Sequence, residues 1–247
     1  TVKAVGANEP FVFNVNEIEI LENGNQINGY KGGTATSEDG STITAENFFY
    51  NKLTNILETT GNVKYVDVSN DVIITSDKAI YFKNDEKIYT LGNSKATNEN
   101  NAITASTLEY DKKNNIFKAI KNAVAKDFLK NTTIYADEIT YFKNQEKVFT
   151  KGKTRAFIQK KYEFNSKDVT YLRNTEKLLS QKKTTVKDDN GNIYKLGNFF
   201  YNIDEELLKG AKVEVLAKVE ENKTDKYFFS EGFFNFKDKS HVAKETK

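Results

Sequence analysis

The 247-residue chain has no cysteine. That excludes a disulfide, a thiolate metal site and a cysteine nucleophile. It has a single histidine, His241, in the polar C-terminal stretch KDKSHVAKETK. A catalytic base there would need an orienting acid and a pocket, so a solvated residue is the expectation. Proline is equally scarce: Pro10 stands alone, ahead of everything periodic. No apolar run approaches the ~18 residues that a membrane-spanning helix needs. The opening TVKAVGANEP has no apolar h-region of a signal peptide, and it starts with Thr, which suggests a processed or trimmed chain. Charge is balanced, 37 Lys and Arg against 35 Asp and Glu, so the basic footprint of a nucleic-acid binder is missing. GYKGG at 29–33 is followed by no helix-forming segment that would receive a phosphate. DDNGN at 188–192 lacks the glycine and glutamate of a calcium loop and reads as a hairpin turn. There is no G-x-S-x-G. No catalytic residue, metal site or cofactor is expected, and no enzyme.

What the chain does have is a sentence written repeatedly. Residues 134–152, IYADEITYFKNQEKVFTKG, match residues 74–92, ITSDKAIYFKNDEKIYTLG, at ten of nineteen positions. The same frame starts at Phe13, Ile43, Ile74, Ile103, Ile134, Phe164, Tyr194 and Phe229, with spacings of 30, 31, 29, 31, 30, 30 and 35 residues. Offsets 0 and +2 are apolar or small, and offsets +5 and +7 are apolar. Each pair alternates with period two, the mark of a strand with one buried face. The step from +2 to +5 breaks parity. One extra residue there, often acidic as in Glu46, Asp77 and Asp137, predicts a bulge or bend that returns the second pair to the same face. A polar turn follows, then a second strand that often reaches a glycine (Gly61, Gly92, Gly152) where it can kink. EENKTDK, ahead of the last unit, reads as a longer hairpin loop, and Glu205–Lys209 fits either a short helix or the strand frame.

The prediction is an all-β fold of about sixteen antiparallel strands in eight repeats of ~30 residues. Residues 11–238 form the array, 1–10 a flexible leader, and 239–247 a tail. One stripe faces inward: Ile43, Phe48, Tyr50, Ile74, Tyr81, Ile103, Leu108, Tyr110, Ile134, Ile139, Tyr141, Val169, Tyr171, Phe199 and Tyr201. Periodicity leaves two readings open, a filled core or a trough for an apolar ligand.

Units such as ITAENFFYNKLTNILETTGNVKYVD (43–67) and ITASTLEYDKKNNIFKAIKNAVAKD (103–127) resemble the OstA-like repeat of lipopolysaccharide transport proteins. The opening EPFVFNVNEIEILENGNQINGYKGGTAT and the closing FFSEGFFNFKDKSHVAKET look most like the N-terminal periplasmic domain of the LptD group, ahead of its barrel. That resemblance implies an elongated, V-shaped open β-jellyroll. It implies a periplasmic location, attached to the outer membrane in the full-length protein. It further implies that acyl chains of lipopolysaccharide travel inside and are passed to an outer-membrane barrel with its LptE-like lipoprotein. The cysteine pairs familiar in that group are absent, so disulfide-controlled maturation cannot involve this segment. The first strand, with Phe11, Phe13, Val15, Ile18 and Ile20, is then a docking edge for an LptA-like bridge by strand addition. The rival readings are a standalone LptA-like bridge and a structural or adhesive β-solenoid without ligand.

Overall fold

The computed structural model describes residues 2–4, 10–220 and 223–244. It contains twenty-one β-strands and, among the described residues, no α-helix. The chain divides into two compact units, 1–121 and 122–247. Within each, the chain runs up and down as antiparallel legs joined by short turns. The strand Thr132–Phe142 and the strand Lys147–Ile158 are typical, with Ile134 opposite Ala156 and Tyr141 opposite Val148. Four legs break completely at their midpoint, as in Thr42–Ala45 and Asn47–Asn51, so the strand count exceeds the sixteen expected.

The parity break is a bulge. Register slips between Ala136 and Glu138, between Thr75 and Lys78, and between Val15 and Glu17; in each case the extra residue lies on the partner strand, between Thr154 and Lys151, Lys95 and Leu91, and Gly33 and Tyr30, and not on the strand where the sequence places it. The opposing strand supplies left-handed residues: Gly61 (φ +81°) and Asn62 (+49°), then Gly92 (+76°) and Asn93 (+46°). The acidic residue of the bend folds over them. Asn62 Nδ2 donates to Glu46 Oε1 at 2.7 Å, and Asn93 Nδ2 donates to Asp77 Oδ2 at 2.9 Å. The recurrent acids therefore hold the bend and do not form a carboxylate ladder.

The bend folds the two halves of each leg toward one another. In the first unit Phe11 meets Tyr50 edge-on at 5.3 Å and Tyr81 at 5.7 Å, and Phe13 meets Phe48 at 6.2 Å. In the second unit Phe164 lies 5.3 Å from Phe199 and 5.0 Å from Tyr201. These first-half and second-half rings form the core of each unit, each buried side chain contributing about 1.5–3 kcal/mol.

The ends differ from expectation. The 1–10 segment supplies the strand Val2–Ala4, paired antiparallel with Phe13–Val15. The tail supplies Ser240–Lys244, which pairs with Glu231–Asn235. Within EENKTDK, Glu220 and the residues 223–226 are strand. They lengthen the strands Leu207–Glu220 and Lys223–Asn235, which pair as far as Glu220 opposite Lys223. Backbone pairing satisfies the amides that a loop would leave to water. Glu205–Lys209 is a turn followed by strand.

Because Gly61 must be left-handed and a Cβ there would strike the Glu46 side chain, Gly61→Ala is expected to cost about 2–3 kcal/mol. Gly40 is also left-handed (φ +83°) but faces open space, so Gly40→Ala should cost only about 1 kcal/mol. Urea unfolding of the two variants measures the difference; equal costs would remove the bend from this role.

Candidate functional site

All fifteen residues of the inward stripe are buried, from fully enclosed Phe48, Leu108, Tyr110, Ile139 and Tyr201 to Ile103 at 7% exposure. Ile43, Tyr50, Ile74, Tyr81 and their counterparts Ile134, Tyr141, Val169, Tyr171 and Phe199 lie between. The bend makes this possible, since without it offsets +5 and +7 would face water. Their rings meet aromatic rings outside the stripe, as in the stacking of Tyr110 on Phe117 at 4.4 Å. The interior of each unit is thus packed with its own side chains.

Above the rings runs a polar rim. Each leg ends in a turn, and folding brings the two rows of turns together. In the first unit Lys112, in the turn 111–115, reaches Asp39 Oδ2 at 2.6 Å and Asp67 Oδ2 at 3.0 Å, both in turns of the other row. Lys83 Nζ donates to Ser37 Oγ across the same line at 3.2 Å. In the second unit Arg173 donates to Asp127 at 3.0 Å, to the Tyr141 hydroxyl at 2.9 Å and to Glu146. Lys130 pairs with Glu176, and Lys161 with Glu206 at 2.9 Å. These pairs form a latch along a seam between the rows of turns. Asp67 also accepts the backbone N–H of Asn70 at 3.1 Å, and Asp127 that of Lys130 at 3.1 Å. Each aspartate therefore shapes its own turn and is held in place for its cation.

Burial pushes the Asp39 and Asp67 carboxyls up, but hydrogen bonds from Lys112, Ser41 and Asn70 outweigh it and hold both below the usual carboxylate range. Burial likewise pulls Lys112 down, and the two carboxylates reverse this and raise it. Glu206 follows the same logic: burial raises it, and bonds from Tyr162 and Lys161 leave it depressed. Tyr141 is pushed up to about 12, by burial first, with Arg173 opposing.

Tyrosine hydroxyls complete the rim. Those at offset +7 rise from the interior to the seam: Tyr50 bonds Asn55 at 2.8 Å, and Tyr141 bonds Glu146 at 3.1 Å. Two do not. The hydroxyls of Tyr81 and Tyr201 are buried without a hydrogen-bond partner among the described residues. Sequence reasoning placed the rings and missed the latch. The signal was there in the recurrence of Asp67 and Asp127, sixty positions apart, just before equivalent turns.

The docking-edge residues divide. Phe11, Phe13 and Val15 are buried at 2%, 1% and 0%, and the backbone of Phe13–Val15 is already paired with Val2–Ala4. Ile18 is half-buried and Ile20 is exposed. At the other end Tyr227 and Phe228 are exposed, on the stretch of Lys223–Asn235 beyond its pairing with Ser240–Lys244. His241 sits opposite Phe234 in that pairing. It lines an open groove with Asp188, Asp189 and Glu206, but no group of three such side chains among the described residues is arranged to hold a metal ion.

The latch has a pH signature. Depressed carboxylates contribute stability that is fully present above the ordinary aspartate value of about 4 and is lost as pH falls through their folded values. Asp67 is 3% exposed and carries most of this; Asp39, 33% exposed, is screened by water. Lys112→Met leaves the buried Asp67 carboxylate without its cation and should cost about 3 kcal/mol near neutral pH. Its melting temperature should fall less than that of the parent protein between pH 6 and 3. Parallel melting curves against pH would remove the latch from the stability of the first unit.

No protein-family model and no curated protein matches the chain. Among solved structures it is similar to LptH from Pseudomonas aeruginosa, described as the LptA-homologous periplasmic component of the conserved lipopolysaccharide transport device. Identity is 12% and the TM-score 0.36, over 63% of this chain and 93% of that one.

Proposed function

We propose that the chain is an OstA-like module that shields the acyl chains of lipopolysaccharide on their way to the outer membrane, most like the periplasmic domain of LptD. The observation that carries this reading is the layering of each unit: a continuous apolar stripe below, and a rim of hydroxyls and ion pairs above. An amphiphile has the same layering, with acyl chains to bury and a headgroup to leave at the rim. Each buried methylene is worth about 0.8 kcal/mol, so a few per chain hold a lipid firmly. The eight repeats in register support the family assignment. On this reading the protein works in the periplasm, joined to an outer-membrane barrel and its LptE-like lipoprotein. It receives cargo from an LptA-like bridge at the Phe11–Leu21 end. Strand addition there would displace Val2–Ala4 or engage the stretch around exposed Ile20.

A second reading, a structural solenoid with a filled core, is favoured by the ring-to-ring packing of the interior. The two separate by experiment. A photo-crosslinking residue at buried Leu108 or Ile139 should capture lipopolysaccharide, and one at outward-facing Leu91 should not. Equal labelling would favour the filled core. Ile139→Glu should block loading, since an unpaired carboxylate among acyl chains is costly, with circular dichroism checking that the strands persist. A crosslinker at Ile20 should trap the bridge protein, while Phe228 should not; the reverse result would exchange the two ends.

A further inference from the structure

The outward side of the second unit carries charges that its folding does not use. A groove of about 570 Å³ runs across residues 122–124, 135–137, 153–155 and 165–167 and ends at Lys183. That volume suits a small ligand. Lys153 stands directly opposite Lys167 on the neighbouring strand. Beyond Lys167, Asn165 is opposite Thr185 and the Ser166 hydroxyl lies 2.7 Å from that of Thr184, which puts Lys183 beside Lys167. Three lysines thus form a row, although like charges directly opposite one another are destabilising. None of the three has an ion pair among the described residues. The acids around them are mostly engaged. Glu163 accepts from Arg155 at 2.8 Å and from Asn165 at 2.9 Å, and Asp168 accepts the Gly152 N–H at 2.9 Å.

Asp137 is the exception. Elsewhere the repeat puts an asparagine after the glycine of the bend, and Asn62 and Asn93 bond the acids Glu46 and Asp77. After Gly152 comes Lys153 instead, and Asp137 is left exposed without a hydrogen bond among the described residues. Beside it the Tyr135 ring is 43% exposed and braced edge-on by Phe157 at 6.1 Å. The Arg155 guanidinium covers the Phe157 ring at 4.6 Å, so Tyr135 is the ring left open. The groove therefore offers a surplus of cations, one spare acceptor and an aromatic face.

We infer that this groove binds an acidic glycan, a chain of sugars bearing carboxylates. An inorganic anion or an acidic peptide would satisfy the lysines but would be repelled by Asp137 and would leave Tyr135 idle. A uronic acid uses all three features. Its carboxylate lies along the row Lys153–Lys167–Lys183, a ring hydroxyl donates to Asp137, and its C–H face covers the Tyr135 ring, whose face is electron-rich. The site is separate from the amphiphile reading. Tyr135, Lys153 and Lys167 are exposed, while their chain neighbours Ile134, Thr154 and Ser166 are buried on the other side of the strands.

The test titrates the full chain calorimetrically, at physiological salt, with trigalacturonate, its methyl ester and triglutamate. Trigalacturonate should bind about tenfold more tightly than either of the others. Lys153→Gln and Lys167→Gln should each weaken it about fivefold, and Lys95→Gln, at an exposed lysine of the first unit, should leave it within twofold. Removing one of two opposed lysines relieves repulsion, so the melting temperature of both groove variants should hold or rise. Tyr135→Ala should weaken trigalacturonate and its ester alike. Binding of the ester as tight as that of the acid would remove the lysine row from the site. Equally tight triglutamate, or an equal effect of Lys95→Gln, would reduce the groove to unspecific charge and overturn the glycan. A fall in melting temperature on Lys153→Gln or Lys167→Gln would assign those lysines to the fold, and no binding of trigalacturonate would overturn the site outright. Lipid capture at Leu108 and Ile139 is unaffected by any of these results, so the two readings stand or fall separately.

Discussion

One backbone device underlies the rest: the bulge at mid-leg. Adding a residue on one strand turns the side-chain alternation through one step, so two short apolar pairs that would face opposite sides share one. The glycine and asparagine of the bulged strand take left-handed φ, and an acid on the facing strand accepts a hydrogen bond from the asparagine. Without this device each leg would be an ordinary flat strand, half of its apolar residues in water. With it, the leg folds over and closes its own core.

Folding over brings the turns together, and this is where the charges become informative. A lysine or arginine on one row of turns meets aspartate or glutamate on the other, sometimes from far along the chain, as Lys112 meets Asp39. Such pairs are costly to bury unless fully bonded. The aspartates meet that condition because the turns that they cap also fix their position. The rim is therefore ordered by local turn chemistry before the long-range pair forms.

Much of this was legible in the sequence. The repeat gave the leg length, the turns and the inward stripe, because period two and period thirty are both local. The bulge could be read from the parity break between Ala136 and Ile139. The rim could not, since which turn meets which depends on the angle of the bend and the twist of the legs. The edges were misjudged for a related reason. Val2–Ala4 and Ser240–Lys244 carry weak strand signals, but each lies beside a strand whose backbone needs a partner. EENKTDK reads as a loop from composition, yet its Glu220 and 223–226 pair because the flanking strands already run in register.

Within each unit a leg hydrogen-bonds to the legs before and after it in sequence. Such an architecture folds by propagation, from any hairpin outward, with little chain to close at each step. The Lys112 pairs are an exception, joining turns 45 or more residues apart. They make the first unit something other than a string of independent hairpins: they tie the melting of distant legs together. Evolution could add or delete a whole repeat without disturbing strand register, but each such change would shift which turn faces which across the seam. Repeat number is free as far as backbone pairing is concerned, and constrained by the charges at the tips of the turns.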